Sequence, residues 1–110
     1  MQIELMNKSH IDGIMEIEKD SFAIPWTRAS VEKELSNKFA YYVVAMEDNN
    51  VLGYGGMWHI VNEGHITNIA VHKNHRRKGI GDAIVKALVE IAEEKEMMGL
   101  TLEVRKGNES

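Results

Sequence analysis

The chain contains no cysteine among its 110 residues. Disulfide frameworks, cysteine-based zinc sites and a cysteine nucleophile are therefore excluded. Proline occurs once, at Pro25, and no low-complexity segment or linker interrupts the sequence. The length fits one domain covering residues 1–110. An excess of positive charge is missing too. The net charge is −4, so a nucleic-acid partner is not expected and any basic site must be local. The longest purely apolar run, residues 40–46, is far too short to span a membrane. Nor does MQIELMNKSHIDG carry the basic-then-apolar pattern of a secretory leader. These absences point to a cytoplasmic protein with no membrane partner.

What is present reads as an ordinary globular chain, 44% apolar and 27% charged. At this length roughly 65% of the unfolded surface is buried on folding. Residues 2–6 alternate as a short strand. Asn7-Lys8-Ser9-His10 precedes a helix, with Ser9 or Asp12 as candidate N-caps. Ile11, Ile14, Met15 and Ile17 follow at helical spacing, and Phe22 closes that face. Ile24-Pro25-Trp26 breaks the helix, and Thr27 caps a second one in which Val31 and Leu35 share a face. The Tyr- and Val-rich segment Ala40–Glu47 reads as a strand. A turn at 47–50 returns the chain as a second strand over 51–61. Gly53, Gly55 and Gly56 within it signal a bulge or a close approach.

Asn62-Glu63-Gly64 reads as the next turn, and residues 65–71 as a third strand. Residues 73–78 form a loop. The strongest helix runs over 79–97, with Ile80, Ala83, Ile84, Ala87, Leu88 and Ile91 as its apolar stripe and Gly99 as its stop. Residues 100–104 make a final strand. The order β-α-α-β-β-β-α-β predicts an α+β fold with a mixed central sheet, closed by a right-handed crossover between two parallel strands.

The stretch HRRKGIGDAI, residues 75–84, sets three consecutive basic residues against Gly79 and Gly81. A helix N-terminus offers unpaired amides and the positive end of its dipole. Glycines let an anion reach those amides. The stretch suits a phosphate or pyrophosphate, yet a plain basic loop has the same letters. It is not a P-loop, because no Gly-Lys-Ser/Thr occurs at the required spacing. It is not a dinucleotide fingerprint either, since Ile84 stands where the third glycine is required. His59, His65, His72 and His75 lie around strands and one loop with no helical His-x-x-x-His pair, so no metal site is expected. Glu93-Glu94-Lys95-Glu96 reads as the solvated end of the long helix.

The flanks of the loop narrow the reading. Asn68-Ile69-Ala70-Val71, then Arg-x-x-Gly-x-Gly from Arg76, then Leu102-Glu103-Val104-Arg105 resemble the GNAT acetyltransferase superfamily. Phe22-Ala23-Ile24-Pro25-Trp26-Thr27 and Gly107-Asn108 bring the chain closer to the ribosomal-protein-alanine N-acetyltransferases, the bacterial Rim-type enzymes. The resemblance spans nearly the whole sequence. It implies the GNAT fold and direct acetyl transfer from acetyl-CoA to the α-amine of a protein N-terminus, the alanine of a ribosomal protein.

The resemblance also implies roles for residues. Arg76, Arg77, Lys78, Gly79, Ile80, Gly81 and Asp82 would hold the pyrophosphate, mostly through backbone amides. Ile69, Ala70 and Val71 would pair with the pantetheine arm, and an amide among them would polarise the thioester carbonyl. Glu103 resembles the general base. An α-amine with a pKa near 8 is only about one-tenth neutral at pH 7, so a carboxylate that takes its proton is needed. The plainer reading of Glu103 is a solvated strand carboxylate paired with Arg105. Asn108 resembles a cofactor contact, or is an ordinary loop residue. Phe22, Pro25 and Trp26 would shape the peptide-substrate side; alternatively they make a helix–helix turn with Trp26 as a core plug.

The family pattern continues beyond Asn108 with a helix carrying an Ala-x-x-Leu-Tyr motif and a final hairpin, and the sequence has no counterpart. The tyrosine of that motif is the family's proposed general acid; Tyr41, Tyr42 and Tyr54 lie in other strands and do not replace it. A truncated domain is therefore expected, with a last strand whose bare edge invites homodimerisation. A second function class follows, an acetyl-CoA-binding remnant with little or no catalysis. A third, nucleic-acid binding by the basic loop, is opposed by the net charge and by the lack of an aromatic-basic surface pattern.

Overall fold

The computed structural model describes residues 1–22, 24–76 and 79–102. Five strands and three α-helices alternate in the expected order: β1 (Gln2–Leu5), α1 (Ile11–Ser21), α2 (Arg28–Leu35), β2 (Ala40–Glu47), β3 (Asn50–Ile60), β4 (Glu63–Val71), α3 (Ile80–Glu94) and β5 (Gly99–Leu102). The strands form one sheet in the order β1-β2-β3-β4-β5. Neighbours are antiparallel except β4 and β5, which run parallel across the α3 crossover. The mixed α+β architecture read from the sequence is the one observed. Among the described residues no helix is long and apolar enough to cross a membrane.

Each face of the sheet carries its own core. On one face Ile80, Ile84, Leu88 and Ala92 of α3 pack against Val43, Ala45, Leu52, Met57 and Ile66. On the other, Ile11, Ile14, Ile17, Phe22 and Val31 pack against Val44, Tyr54 and Ala70. Ile14, Ile17, Ile84 and Leu88 are completely buried, and each such side chain contributes about 1.5–3 kcal/mol by leaving water.

Several local details differ from the sequence reading. Neither Ser9 nor Asp12 caps α1. The Asn7 side chain accepts from the Ser9 amide at 2.8 Å, and His10 Nδ1 accepts from the Asn7 amide at 3.0 Å. This reciprocal pair opens a 3-10 turn that runs straight into α1. Here histidine supplies the returning acceptor that Glu or Gln usually supplies, which hides the capping box. Thr27, by contrast, does cap α2, its hydroxyl accepting from the Ser30 amide at 3.1 Å.

The turn expected at 62–64 sits one residue earlier, at Val61 and Asn62, which take φ of 45° and 67°. Gly64 lies inside β4 instead. A Cβ there would stand 2.8 Å from Leu100 Cδ1 and 2.9 Å from the Met57 and Met97 sulfurs, so close packing, not turning, requires it. The long helix stops at Glu94, before Gly99. Glu96 takes the left-handed conformation (φ 57°). Its amide donates to Glu93 O at 3.1 Å, while Met97 N donates to Ala92 O at 2.9 Å. That is a Schellman ending built on a glutamate instead of a glycine.

The glycines of β3 answer to both expectations. Gly53 and Gly55 face α3, where Ile80, Ile84 and Leu88 occupy the space of their missing side chains. The β3–β4 register shifts between Gly56 and Met57. At Gly53 a Cβ would meet Ala70 O at 2.9 Å and Ile84 Cδ1 at 3.1 Å. The first contact is backbone and cannot turn aside. Gly53→Ala is therefore expected to lower stability by about 1–3 kcal/mol, read as a fall in the urea midpoint at constant slope. An unchanged midpoint would show that β3 and α3 are not packed this closely.

Candidate functional site

The register shift in β4 organises the site. Gly56 pairs with Asn68 but Met57 pairs with Ile66, so Thr67 is an extra residue opposite β3. One inserted residue reverses the facing of everything beyond it. Ile66 lies in the α3 core, and Ile69 and Val71 pack against that same core three and five residues on. Ala70 points to the α1 side. The described residues of β5 pair with β4 only from Glu63 to Ile66. The outer edge of residues 67–71 thus meets no other described strand.

Beyond Val71 the chain makes a 3-10 turn, Lys73–His75. It re-enters helix at Gly79, which is left-handed (φ 76°) and gives no side-chain cap. A Cβ on Gly79 would find nothing described within 4 Å, and one on Gly81 only Val71 Cγ2 at 3.9 Å. The first turn of α3 thus opens outward beside the end of β4, with amides that no capping side chain satisfies. Its partial positive charge suits an anion. Asp82 is exposed, whereas Ile80 is buried in the α3 core. Arg76 is turned inward: Nε donates to Val71 O at 3.0 Å and Nη2 to Ser21 Oγ at 3.2 Å. Its guanidinium braces the loop against β4 and the end of α1.

Ile69, Ala70, Val71, Arg76, Gly79, Ile80, Gly81 and Asp82 therefore gather where β4 passes into α3. Arg77, Lys78, Glu103 and Asn108 lie outside the described residues. Leu102, the neighbour of Glu103 in sequence, pairs with Ile66 beside the bulge. Of the aromatic-Pro-Trp segment, Phe22 is buried in the core under α1. Pro25 and Trp26 are half-buried, and Trp26 sets its ring edge-on to Tyr42, 6.2 Å between centroids. Among the described residues no three His, Asp or Glu side chains are grouped to hold a metal ion.

Two carboxylates that the motifs do not mark hold this side together. Glu18, completely buried on α1, accepts from the Trp26 amide at 2.7 Å and from the Tyr54 hydroxyl. Burying a carboxylate is costly unless donors meet it, and these two tie the α1–α2 connection to β3. The available signal was a glutamate four residues after Ile14, on the apolar face of α1. On α2, Glu34 Oε1 accepts from both the Tyr42 hydroxyl and Trp58 Nε1, each at 2.7 Å. The Tyr42 ring lies across Gly56, in the space a side chain there would fill.

Comparison with known proteins fits this geometry. The model of the Acetyltransferase (GNAT) family matches residues 11–110. A Bacillus subtilis (strain 168) protein provisionally named a ribosomal protein bS18-alanine N-acetyltransferase is 38% identical over 104 residues, covering 94% of this chain and 69% of its own length. The ribosomal-protein-S18-alanine N-acetyltransferase of Escherichia coli superposes with a TM-score of 0.84 at 21% identity, over 94% of this chain and 66% of that one. An N-acetyltransferase from Thermoplasma acidophilum, solved with coenzyme A, gives 0.73 at 16% identity, over 93% and 79%. The two structural likenesses show a shared fold. The chain spans about two thirds of the length of the first two proteins.

The Glu18 tie makes a stability prediction. Glu18→Ala leaves the Tyr54 hydroxyl and the Trp26 amide without this acceptor in a buried setting, and is expected to cost about 1–3 kcal/mol. In a double-mutant cycle with Tyr54→Phe, the second change is expected to cost much less in the Glu18→Ala background than alone. Strict additivity in chemical denaturation would show that the contact carries no coupling.

Proposed function

Because the chain belongs to the Acetyltransferase (GNAT) family, we propose that it transfers the acetyl group of acetyl-CoA to the α-amine of a protein N-terminus. The alanine of a ribosomal protein is the acceptor this reading favours. The observation that carries it is the junction of β4 with α3: the outer edge of residues 67–71, which pairs with no described strand, leads into a helix start that has no side-chain cap and has room around Gly79 and Gly81. The names of the B. subtilis and E. coli proteins support the choice of acceptor.

Each part of the cosubstrate finds a matching feature. The first-turn amides of α3 suit the pyrophosphate. The edge amides and carbonyls of Ile69, Ala70 and Val71 suit an extended amide-bearing arm, paired as another strand would be. The cosubstrate supplies the activated acetyl group, and an edge amide donating to its carbonyl oxygen would stabilise the negative charge that develops there. Glu103 takes the proton that the amine loses on attack. Pro25 and Trp26, held by Glu18, border the acceptor side, with Phe22 as their buried footing. Asn108, Arg77 and Lys78 add cosubstrate contacts in this reading.

The test is acetylation of an alanine-starting peptide by the chain with acetyl-CoA, beside calorimetric titration of acetyl-CoA. Glu103→Gln is expected to lower turnover roughly 10²–10⁴-fold and to leave acetyl-CoA affinity unchanged. Equal rates for the two would remove Glu103 from the role of base. Binding without turnover would select the remnant reading, and no binding would remove the cosubstrate site itself.

A further inference from the structure

On the α2 side of the sheet, Glu34 presents its carboxylate in an unusual way. Both donors that reach it, the Tyr42 hydroxyl and the Trp58 indole, converge on Oε1. No described residue donates to Oε2, and among the described ion pairs Glu34 has no Lys or Arg partner. A tie between helix and sheet needs only a neutral acceptor. Here two neutral donors fix the carboxylate through Oε1 alone.

The surroundings are aromatic. Tyr42 touches Trp26 edge-on at 6.2 Å, and Trp58 stands on the same strand face as Gly56, two residues on. Ring faces and a carboxylate together attract a cationic amine, the rings through their quadrupoles and the carboxylate through charge-assisted hydrogen bonds. The position fits as well. Because Gly56 has no side chain, the Tyr42 ring extends over β3 toward β4. Gly56 pairs directly with Asn68, next to the Thr67 bulge. Glu34 is therefore anchored in part by Tyr42, whose ring covers β3 where it pairs with the start of the segment assigned to the acetyl donor.

We infer that Glu34, held by Tyr42 and Trp58, is the acceptor-recognition carboxylate: it receives the α-ammonium of an incoming polypeptide N-terminus. This rests on the acetyltransferase reading and deepens it, naming the residue that distinguishes a free amine from a blocked one. The ammonium docks at Oε2 and gives one proton to solvent before attack; Glu103 takes the second as the C–N bond forms and the C–S bond breaks, coenzyme A leaving as its thiolate. Recognition and deprotonation are thus divided between two carboxylates, Glu34 and Glu103.

The experiment uses the chain saturated with coenzyme A. An alanine-starting peptide and its N-formyl counterpart are titrated by calorimetry into the native chain, Glu34→Gln and Trp58→Phe. The native chain is expected to prefer the free amine by about 10–100-fold, as a hydrogen-bonded charge implies. Glu34→Gln keeps an acceptor for Tyr42 and Trp58 but loses the charge, and is expected to bring the two peptides close to parity. Trp58→Phe keeps the charge but loses one aiming donor, and is expected to cut the preference about threefold, within the ordinary worth of one hydrogen bond. Coenzyme A affinity should stay constant throughout, which also reports that each variant is folded. A native chain that does not distinguish the peptides, or a preference unchanged in both variants, overturns the inference and leaves the cosubstrate site standing. Failure of the native chain to bind coenzyme A overturns the acetyltransferase reading instead.

Discussion

Thr67 is the residue on which the two faces of the sheet depend. A strand has a side-chain period of two, so a regular β4 would send Ile66, Asn68 and Ala70 to one side. With Thr67 inserted, Ile66 stays in the α3 core while Asn68 and Ala70 turn toward α1, and Ile69 and Val71 replace them under α3. Both cores are then filled by one strand. The same insertion shifts the β3–β4 ladder next to Ile66, which pairs with Leu102 of β5. One residue thus lets a single strand serve two cores.

The approach of α3 to the sheet follows from what β3 lacks. Gly53 and Gly55 let Ile80, Ile84 and Leu88 descend to the backbone. That descent places the start of α3 beside the end of β4. On the opposite face the ties are polar. Glu18 fixes the α1–α2 connection to Tyr54, and Arg76 joins the loop to both Val71 and Ser21. The α3 side is set by apolar depth and the α1–α2 side by directional bonds, so the two respond differently to substitution.

Much of the architecture was legible in the sequence, because periodicity and capping report local forces. The apolar stripe of 80–91, the Tyr-Val strand and the Thr27 cap are all present as read. The misses share one cause: a residue used for something other than its commonest purpose. His10 closes a capping box, Glu96 takes a left-handed helix ending, and Gly64 makes room for Met57 and Leu100 where a turn was expected. At the site, the loop glycines and the β4 strand were marked by motif. The bulge at Thr67 was not, since nothing local distinguishes an extra strand residue from a paired one; only the partner strand reveals it. Glu18 and Glu34 escaped because a carboxylate on a helix ordinarily faces water. Their meaning comes from Tyr54, Tyr42 and Trp58, at least eight residues away in sequence.

The bare backbone at Gly56 has a consequence for how this surface can change over time. Tyr42 occupies the volume that any side chain at position 56 would claim, so the two positions are mutually exclusive for bulk. A descendant that gains a side chain at 56 must first give up the ring at 42, and with it the hydroxyl that reaches Glu34. Such a lineage would have to cross an intermediate with neither. The pair therefore behaves as one heritable character, and change on this side of the sheet involves positions 42 and 56 together.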